Sequence, residues 1–149
     1  MQITLFITIG APLVIIMVII YSDKFREPLD LILKTFLMGV FICLLASEIN
    51  SLFIPSIEYS FIAGFTEETL KFLIMFYFIR KHKSFNEPMD AIVYGTLVSL
   101  GFATLENIQY VYLTDTPEFS SLAIASIRAL SAIPLHAACG VIMGYYFGL

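Results

Sequence analysis

Glu67 and Glu68 stand side by side, with Lys71 one turn further on, in a stretch otherwise apolar enough for a membrane span, from Tyr59-Ser60-Phe61 to Met75-Phe76-Tyr77-Phe78. An ionisable side chain at bilayer depth costs at least a few kcal/mol, so three within five residues point to function. A carboxylate held between an apolar surround and a neighbouring ammonium suits general-base work, the removal of a proton from an attacking water. Adjacent helical residues point about 100° apart, so the two glutamates cannot face one reacting atom. Their offsets of four and three let either one pair with Lys71. One glutamate is expected to face a pocket and the other to be ion-paired behind it, and the spacing leaves open which is which. A purely structural ion pair is the alternative.

Further chemistry-bearing residues lie in later apolar runs: the Glu106-Asn107 pair, Arg128 and His136. Phe102 and Glu106 are four apart and share a helix face, which turns Asn107 toward a neighbouring helix. His136, Gly140 and Gly144 form one stripe, an imidazole in line with two small residues, suited to lying against the third and fourth helices. Gly95, Gly101 and Ala103 also allow close backbone approach. Each feature has a bland counterpart: Glu106-Asn107 as an interhelical hydrogen-bond staple, His136 as a satisfied buried histidine. Arg128 and Glu48, nearer the bilayer interface, read as snorkelling side chains, and His82, in a basic loop, as solvated.

These groups need helices to hold them. A spanning helix takes about twenty apolar residues, and the chain divides into five such runs, Ile3–Tyr21, Leu29–Asn50, Glu58–Arg80, Pro88–Leu113 and Ser121–Leu149. The separators carry a proline or a charge cluster: residues 22–28, 53–56 (with Pro55), 81–87 and 114–119 (with Pro117). The expectation is an all-α polytopic bundle of about five spans forming a single integral membrane domain over 1–149. Lys24, Arg26, Arg80, Lys81 and Lys83 all border the first and third loops, while the second and fourth hold no Lys or Arg. Basic loops stay in the cytoplasm, which puts the N-terminus outside and the first helix uncleaved. Glu67 and Glu68 then lie about 14 Å, and Glu106 about 10 Å, below the outer surface, from a rise of about 1.5 Å per residue. Pro134 is expected to kink the last helix. That helix runs out still apolar at Tyr145-Tyr146-Phe147-Gly148-Leu149, as expected of a piece of a longer bundle.

Composition supports the same class. The 149 residues are 59% hydrophobic and 13% charged without a tryptophan, at a mean hydropathy of +0.90. A soluble chain of that length has no interior large enough for so much apolar surface. The net charge of −4 is scattered, with no basic stripe to track phosphates, so nucleic acid is not an expected partner. Cys43 and Cys139 sit within apolar runs and read as buried thiols.

Glu67-Glu68-Thr69-Leu70-Lys71 resembles the EExxK motif of the PrsW family of intramembrane proteases, and Gly101-Phe102-Ala103-Thr104-Leu105-Glu106-Asn107 resembles its GFxxxEN motif. Arg128 followed by Pro134-Leu135-His136 resembles the third block, an Arg before PxH and a glycine-bearing helix. The resemblance covers a protease-like core over 58–149. The type II CAAX prenyl proteases and bacterial CPBP proteins are more distantly similar. Against their motifs Lys71 replaces an arginine one position early, Glu106 stands for a histidine and Gly140 for an asparagine, which makes a prenyl-protein substrate unexpected. The resemblance implies peptide hydrolysis in or near the membrane of a bacterial or archaeal cell. Glu67, Glu68 and His136 match the family's essential positions, and bacterial members cut membrane-anchored anti-sigma factors on the extracytoplasmic side.

The sequence is therefore read as an intramembrane endopeptidase acting on a membrane-anchored protein. Glu67 or Glu68 activates a water, and His136, with Glu106 or Asn107, stabilises the oxyanion or protonates the leaving amine. No cofactor is required by that scheme. Zinc on a Glu/Glu/Glu/His set is the alternative, disfavoured because consecutive glutamates diverge and no HExxH spacing occurs. Two other classes remain open: a proton- or ion-coupled transporter component, which would need polar groups from face to face, and a non-catalytic scaffold that binds a partner's helix.

Overall fold

The computed structural model describes residues 2–54, 60–114 and 118–149. Within them the chain is helical: α1 (Gln2–Ser22), α2 (Leu29–Phe53), α3 (Ser60–Ile74), α4 (Pro88–Ile108), α5 (Ser121–Leu130) and α6 (Ala132–Phe147). A π-helical turn at Met75–Ile79 prolongs α3, and another at Gln109–Leu113 prolongs α4. The expected start of the third helix at Glu58, and the loop positions Pro55, Ser56 and 115–117, lie outside the described residues. Elsewhere the helices fall within a few residues of the expected runs.

Among the described residues, four stretches are long and apolar enough to cross a membrane: Gln2–Ser22, Leu29–Phe53, Pro88–Leu113 and Ser121–Phe147. The remaining run, α3 with its π turn, carries Glu67, Glu68 and Lys71, and these three charges separate it from the others. Large apolar side chains cover the outside of the bundle, among them Phe6, Phe41, Phe65, Leu130, Leu135 and Tyr146. In water such a surface would drive aggregation, whereas hydrocarbon solvates it without cost. The chain is a multi-pass integral membrane protein.

α4 is the central helix. It packs against α1, α2, α3 and α6, and 78% of its span is buried, against 17–33% for the other three spans. Small residues make this possible, since lipid tails offer helices no hydrophobic drive to associate and close van der Waals contact must supply it. A Cβ on Gly95 would lie 2.6 Å from the Gly140 carbonyl oxygen on α6, and one on Gly101 would overlap the Phe36 carbonyl of α2. The Gly140–Gly144 stripe thus lies on α4, as its spacing suggested.

Local chemistry sets the helix ends. At the start of α4, Pro88 occupies the first turn, and Glu87 and Asp90 form a reciprocal capping box in which Asp90 accepts from the Glu87 amide at 2.9 Å. The Tyr94 hydroxyl donates to Glu27, tying the α1–α2 turn to the first two turns of α4. Burial, then the nearby Asp90 and Asp23, push the Glu27 carboxyl up to about 7, against a lowering by the Tyr94 hydrogen bond. The expected break before Pro134 falls at Ser131, whose φ of −122° and ψ of −73° separate α5 from α6. Pro134 has no N–H for the carbonyl of Leu130 four residues back, so the helix cannot run straight through.

Candidate active site

Four helices, α3, α4, α5 and α6, bring the three charged motifs together. Lys71, on α3, is fully buried, and its ammonium donates to Glu68 Oε1 at 2.8 Å and to His136 Nδ1 on α6 at 3.0 Å. The Phe102 ring lies under it at 4.2 Å. Lys71 is therefore solvated by a carboxylate, an imidazole and a π face in place of water. An ammonium has only donors, so His136 Nδ1 must accept, and the proton of the neutral ring sits on Nε2. That nitrogen is 3.1 Å from Glu106 Oε2 and donates to it.

Glu106 Oε2 also accepts from Arg128 Nη2 at 2.6 Å, and Arg128 Nε donates to Asn107 Oδ1 at 2.8 Å. The guanidinium stacks 4.2 Å from the centroid of the Tyr110 ring. Far from snorkelling outward, Arg128 turns into the bundle, because two acceptors on α4 outbid the interface for its fork of donors. Asn107, buried, completes the chain: its Nδ2 donates to the Thr8 carbonyl of α1 at 2.9 Å. That carbonyl is free because Pro12, four residues on, has no N–H to bond it.

Glu67 points elsewhere than Glu68. It lines a cavity of about 680 Å³ whose wall also includes Cys43, Ser47, Asn50, Phe102, Glu106 and Gln109. Glu67, Glu106 and His136 each bring one oxygen or nitrogen within 4.8 Å of the others. The cavity is bounded by the C-terminal ends of α2 and α4, with Ile54 and Thr114 at its edge. It thus lies at the end of the bundle remote from the basic loops at 22–28 and 80–87.

The family model described as PrsW family intramembrane metalloprotease matches residues 27–149. The chain belongs to the PrsW family. Protease PrsW of Geobacillus kaustophilus is 38% identical over 136 residues, covering 85% of this chain and 57% of that protein. Protease PrsW of Oceanobacillus iheyensis is 36% identical over 149 residues, 93% of this chain and 65% of that protein. The Clostridioides difficile Protease PrsW is 34% identical over 158 residues, 98% of this chain and 66% of the relative. The chain thus spans about three-fifths to two-thirds of the length of these curated relatives. No solved structure matches it.

The PrsW motifs correspond to distinct layers of the site. Glu67 and Glu106 are on the cavity wall, His136 and Lys71 lie behind Phe102 and Glu106, and Asn107 and Arg128 buttress Glu106 from the α1 and α5 side. Glu48 is exposed, and His82 accepts from the Ser84 amide at 3.2 Å as a loop cap. In sequence, α1 and α2 are marked by hydropathy alone. In the fold α1 supplies the Thr8 carbonyl and α2 supplies Cys43, Ser47 and Asn50 to the cavity. An Asn or Ser in an apolar run and a proline mid-helix were the available signals.

A metal is compatible with this family, and the donor set fits one. Glu67, Glu106 and His136 offer two carboxylate oxygens and an imidazole nitrogen, and a metal would take His136 Nε2 only with Lys71 neutral, so that the ring proton moves to Nδ1 and donates to the amine. Glu68 is outside that set, held by Lys71.

Proposed function

We propose that this chain is the catalytic core of an intramembrane endopeptidase that cuts a membrane-anchored protein near the outer surface of the membrane. One observation carries the reading: Glu67, Glu106 and His136, from three motifs on three helices, converge within 4.8 Å beside a cavity. A structural staple needs pairs of partners, not a carboxylate left facing a cavity.

Glu67 is the general base. It takes a proton from a water that attacks the carbonyl carbon of the scissile peptide bond, and it returns that proton to the amide nitrogen as the C–N bond breaks. His136 Nε2–H, which donates to Glu106 Oε2 in the resting site, transfers that hydrogen bond to the tetrahedral oxyanion as it forms, with the Lys71 ammonium behind Nδ1. Glu106 aims the imidazole, and Arg128 and Asn107 hold Glu106. Glu68 neutralises Lys71 and fixes its position. A metal ion bound by Glu67, Glu106 and His136 would supply Lewis-acid polarisation of the carbonyl and a more acidic water.

The charge bias of the loops supports an extracytoplasmic opening for the cavity, and family resemblance supports an anti-sigma factor as the class of substrate. Wild-type protein co-reconstituted with a membrane-anchored anti-sigma factor should release a soluble fragment from the extracytoplasmic side. Undiminished cleavage by Glu67→Gln protein at equal levels would overturn the mechanism.

A further inference from the structure

At the opposite end of α4 from the active site, about 24 Å away for the sixteen residues between Asp90 and Glu106, a second group of acids meets. Asp23 and Glu27 from the α1–α2 turn and Asp90 from α4 each place a carboxylate oxygen within 4.8 Å of the others. Asp23 is 6% exposed and Asp90 fully buried. Each uses one oxygen locally: Asp23 Oδ1 accepts from the Phe25 amide at 3.0 Å, and Asp90 Oδ2 accepts from the Asn86 and Glu87 amides at 2.7 and 2.9 Å. The other two oxygens, Asp23 Oδ2 and Asp90 Oδ1, are buried without a hydrogen-bond partner.

A carboxylate oxygen left unpartnered in a buried place is costly, and two together with a third acid alongside are more so. No basic side chain relieves them among the described residues. The ion pairs there are Lys34–Asp30, Lys71–Glu68, Arg128–Glu106 and His136–Glu106. Lys24 and Arg26, in the same turn, instead lie over the Phe25 and Tyr21 rings at 5.3 and 5.0 Å.

We propose that Asp23, Glu27 and Asp90 bind a hard divalent cation that clamps the α1–α2 turn onto the start of α4. An all-oxygen, all-carboxylate donor set selects Mg²⁺, Ca²⁺ or Mn²⁺ over zinc or copper. The cation takes the two orphaned aspartate oxygens and one from Glu27, and waters complete its shell on the partly exposed Glu27 side. Bridging two segments more than sixty residues apart, it stabilises the helix that carries Glu106 and Asn107 without touching the substrate.

The test is Mn²⁺ binding to the purified full chain in detergent at mildly alkaline pH, read by electron paramagnetic resonance, with Mg²⁺ and Ca²⁺ as competitors. His136→Ala serves to subtract any ion held at the active site. Asp90 also caps α4, so the informative variants are Asp23→Asn and Glu27→Gln, the latter at a partly exposed position where folding is least at risk. Mn²⁺ should remain bound in His136→Ala, be displaced by Mg²⁺ or Ca²⁺, and bind about tenfold or more weakly in Glu27→Gln and Asp23→Asn. Wild type should melt at a higher temperature with the cation, and Glu27→Gln should lose that increment. Mn²⁺ binding abolished by His136→Ala, unchanged in Glu27→Gln, or absent altogether overturns the proposal.

Discussion

The Lys71 ammonium lies 3.0 Å from Nδ1 of His136, sixty-five residues further along the chain. Since Lys71 can only donate, this contact fixes the imidazole as the Nε2–H tautomer and aims that proton at Glu106. The ¹⁵N shifts of His136 should report a protonated Nε2 and an unprotonated Nδ1. Lys71→Met, near in volume but unable to donate, should release the ring to the other tautomer and leave Glu68 unpaired. An Nδ1–H tautomer in the wild type would contradict the arrangement.

Glu67 and Glu68 are adjacent but unequal. Glu67 faces the cavity, so Glu67→Gln should cut the rate of cleavage about 10²–10⁴-fold while leaving the thermal midpoint near that of wild type. Glu68 is bonded to Lys71 instead. Glu68→Gln should keep a hydrogen bond to the ammonium, lose its charge partner, and show a smaller rate loss together with lower stability, about 1–3 kcal/mol. Equal rate losses at unchanged stability would mean that both carboxylates act on the substrate.

How much of this was legible in the sequence differs between helices. Residue spacing alone implied that only one glutamate could face a reacting atom and that Asn107 would turn to a neighbour, because both follow from the 3.6-residue repeat. The choice between Glu67 and Glu68 did not follow, since offsets of three and four to Lys71 are both good pairings and only the position of α6 selects between them. Arg128 misled for a related reason: seven residues into an apolar run, a guanidinium can reach interface or interior, and the acceptors that hold it belong to α4, not to its own helix. The Thr8 contact was the least legible, being a main-chain acceptor that only a proline exposes.

Arg128 donates to Glu106 and Asn107 through different nitrogens. Arg128→Lys keeps the charge but cannot satisfy both acceptors from one planar group. The variant should fold, with cleavage reduced because Glu106 no longer holds the imidazole in place. Retention of full activity in Arg128→Lys would reduce Arg128 to a charge partner.

Two glycines make opposite forecasts. A Cβ at Gly101 would collide with the Phe36 carbonyl of α2, and backbone cannot move aside as a side-chain tip can. Gly101→Ala should destabilise the bundle by about 1–3 kcal/mol, read as a lower melting temperature and reduced yield of folded protein. Gly64 on α3 has nothing within 4 Å of such a Cβ. Gly64→Ala should be neutral or stabilising by up to about 1 kcal/mol through helix propensity alone.

Pro12 is the remote end of the site's support. By withholding an N–H it leaves the Thr8 carbonyl to Asn107 Nδ2, and Asn107 in turn holds Arg128 against Glu106. In Pro12→Ala the new amide would close the regular i to i−4 bond and compete for that carbonyl. An interior proline disfavours a helix by about 3 kcal/mol relative to alanine, so α1 should become more regular and the protein no less stable. Activity should nevertheless fall, in the same direction as Asn107→Ala, because the link from α1 to Glu106 is weakened while every charged group remains in place. The pair separates two ideas: if Pro12→Ala is more stable and as active as wild type, the carbonyl can serve both donors through its two lone pairs, and Asn107 is not displaced. If it is more stable and less active, and Asn107→Ala adds little further loss in the Pro12→Ala background, the proline acts through Asn107.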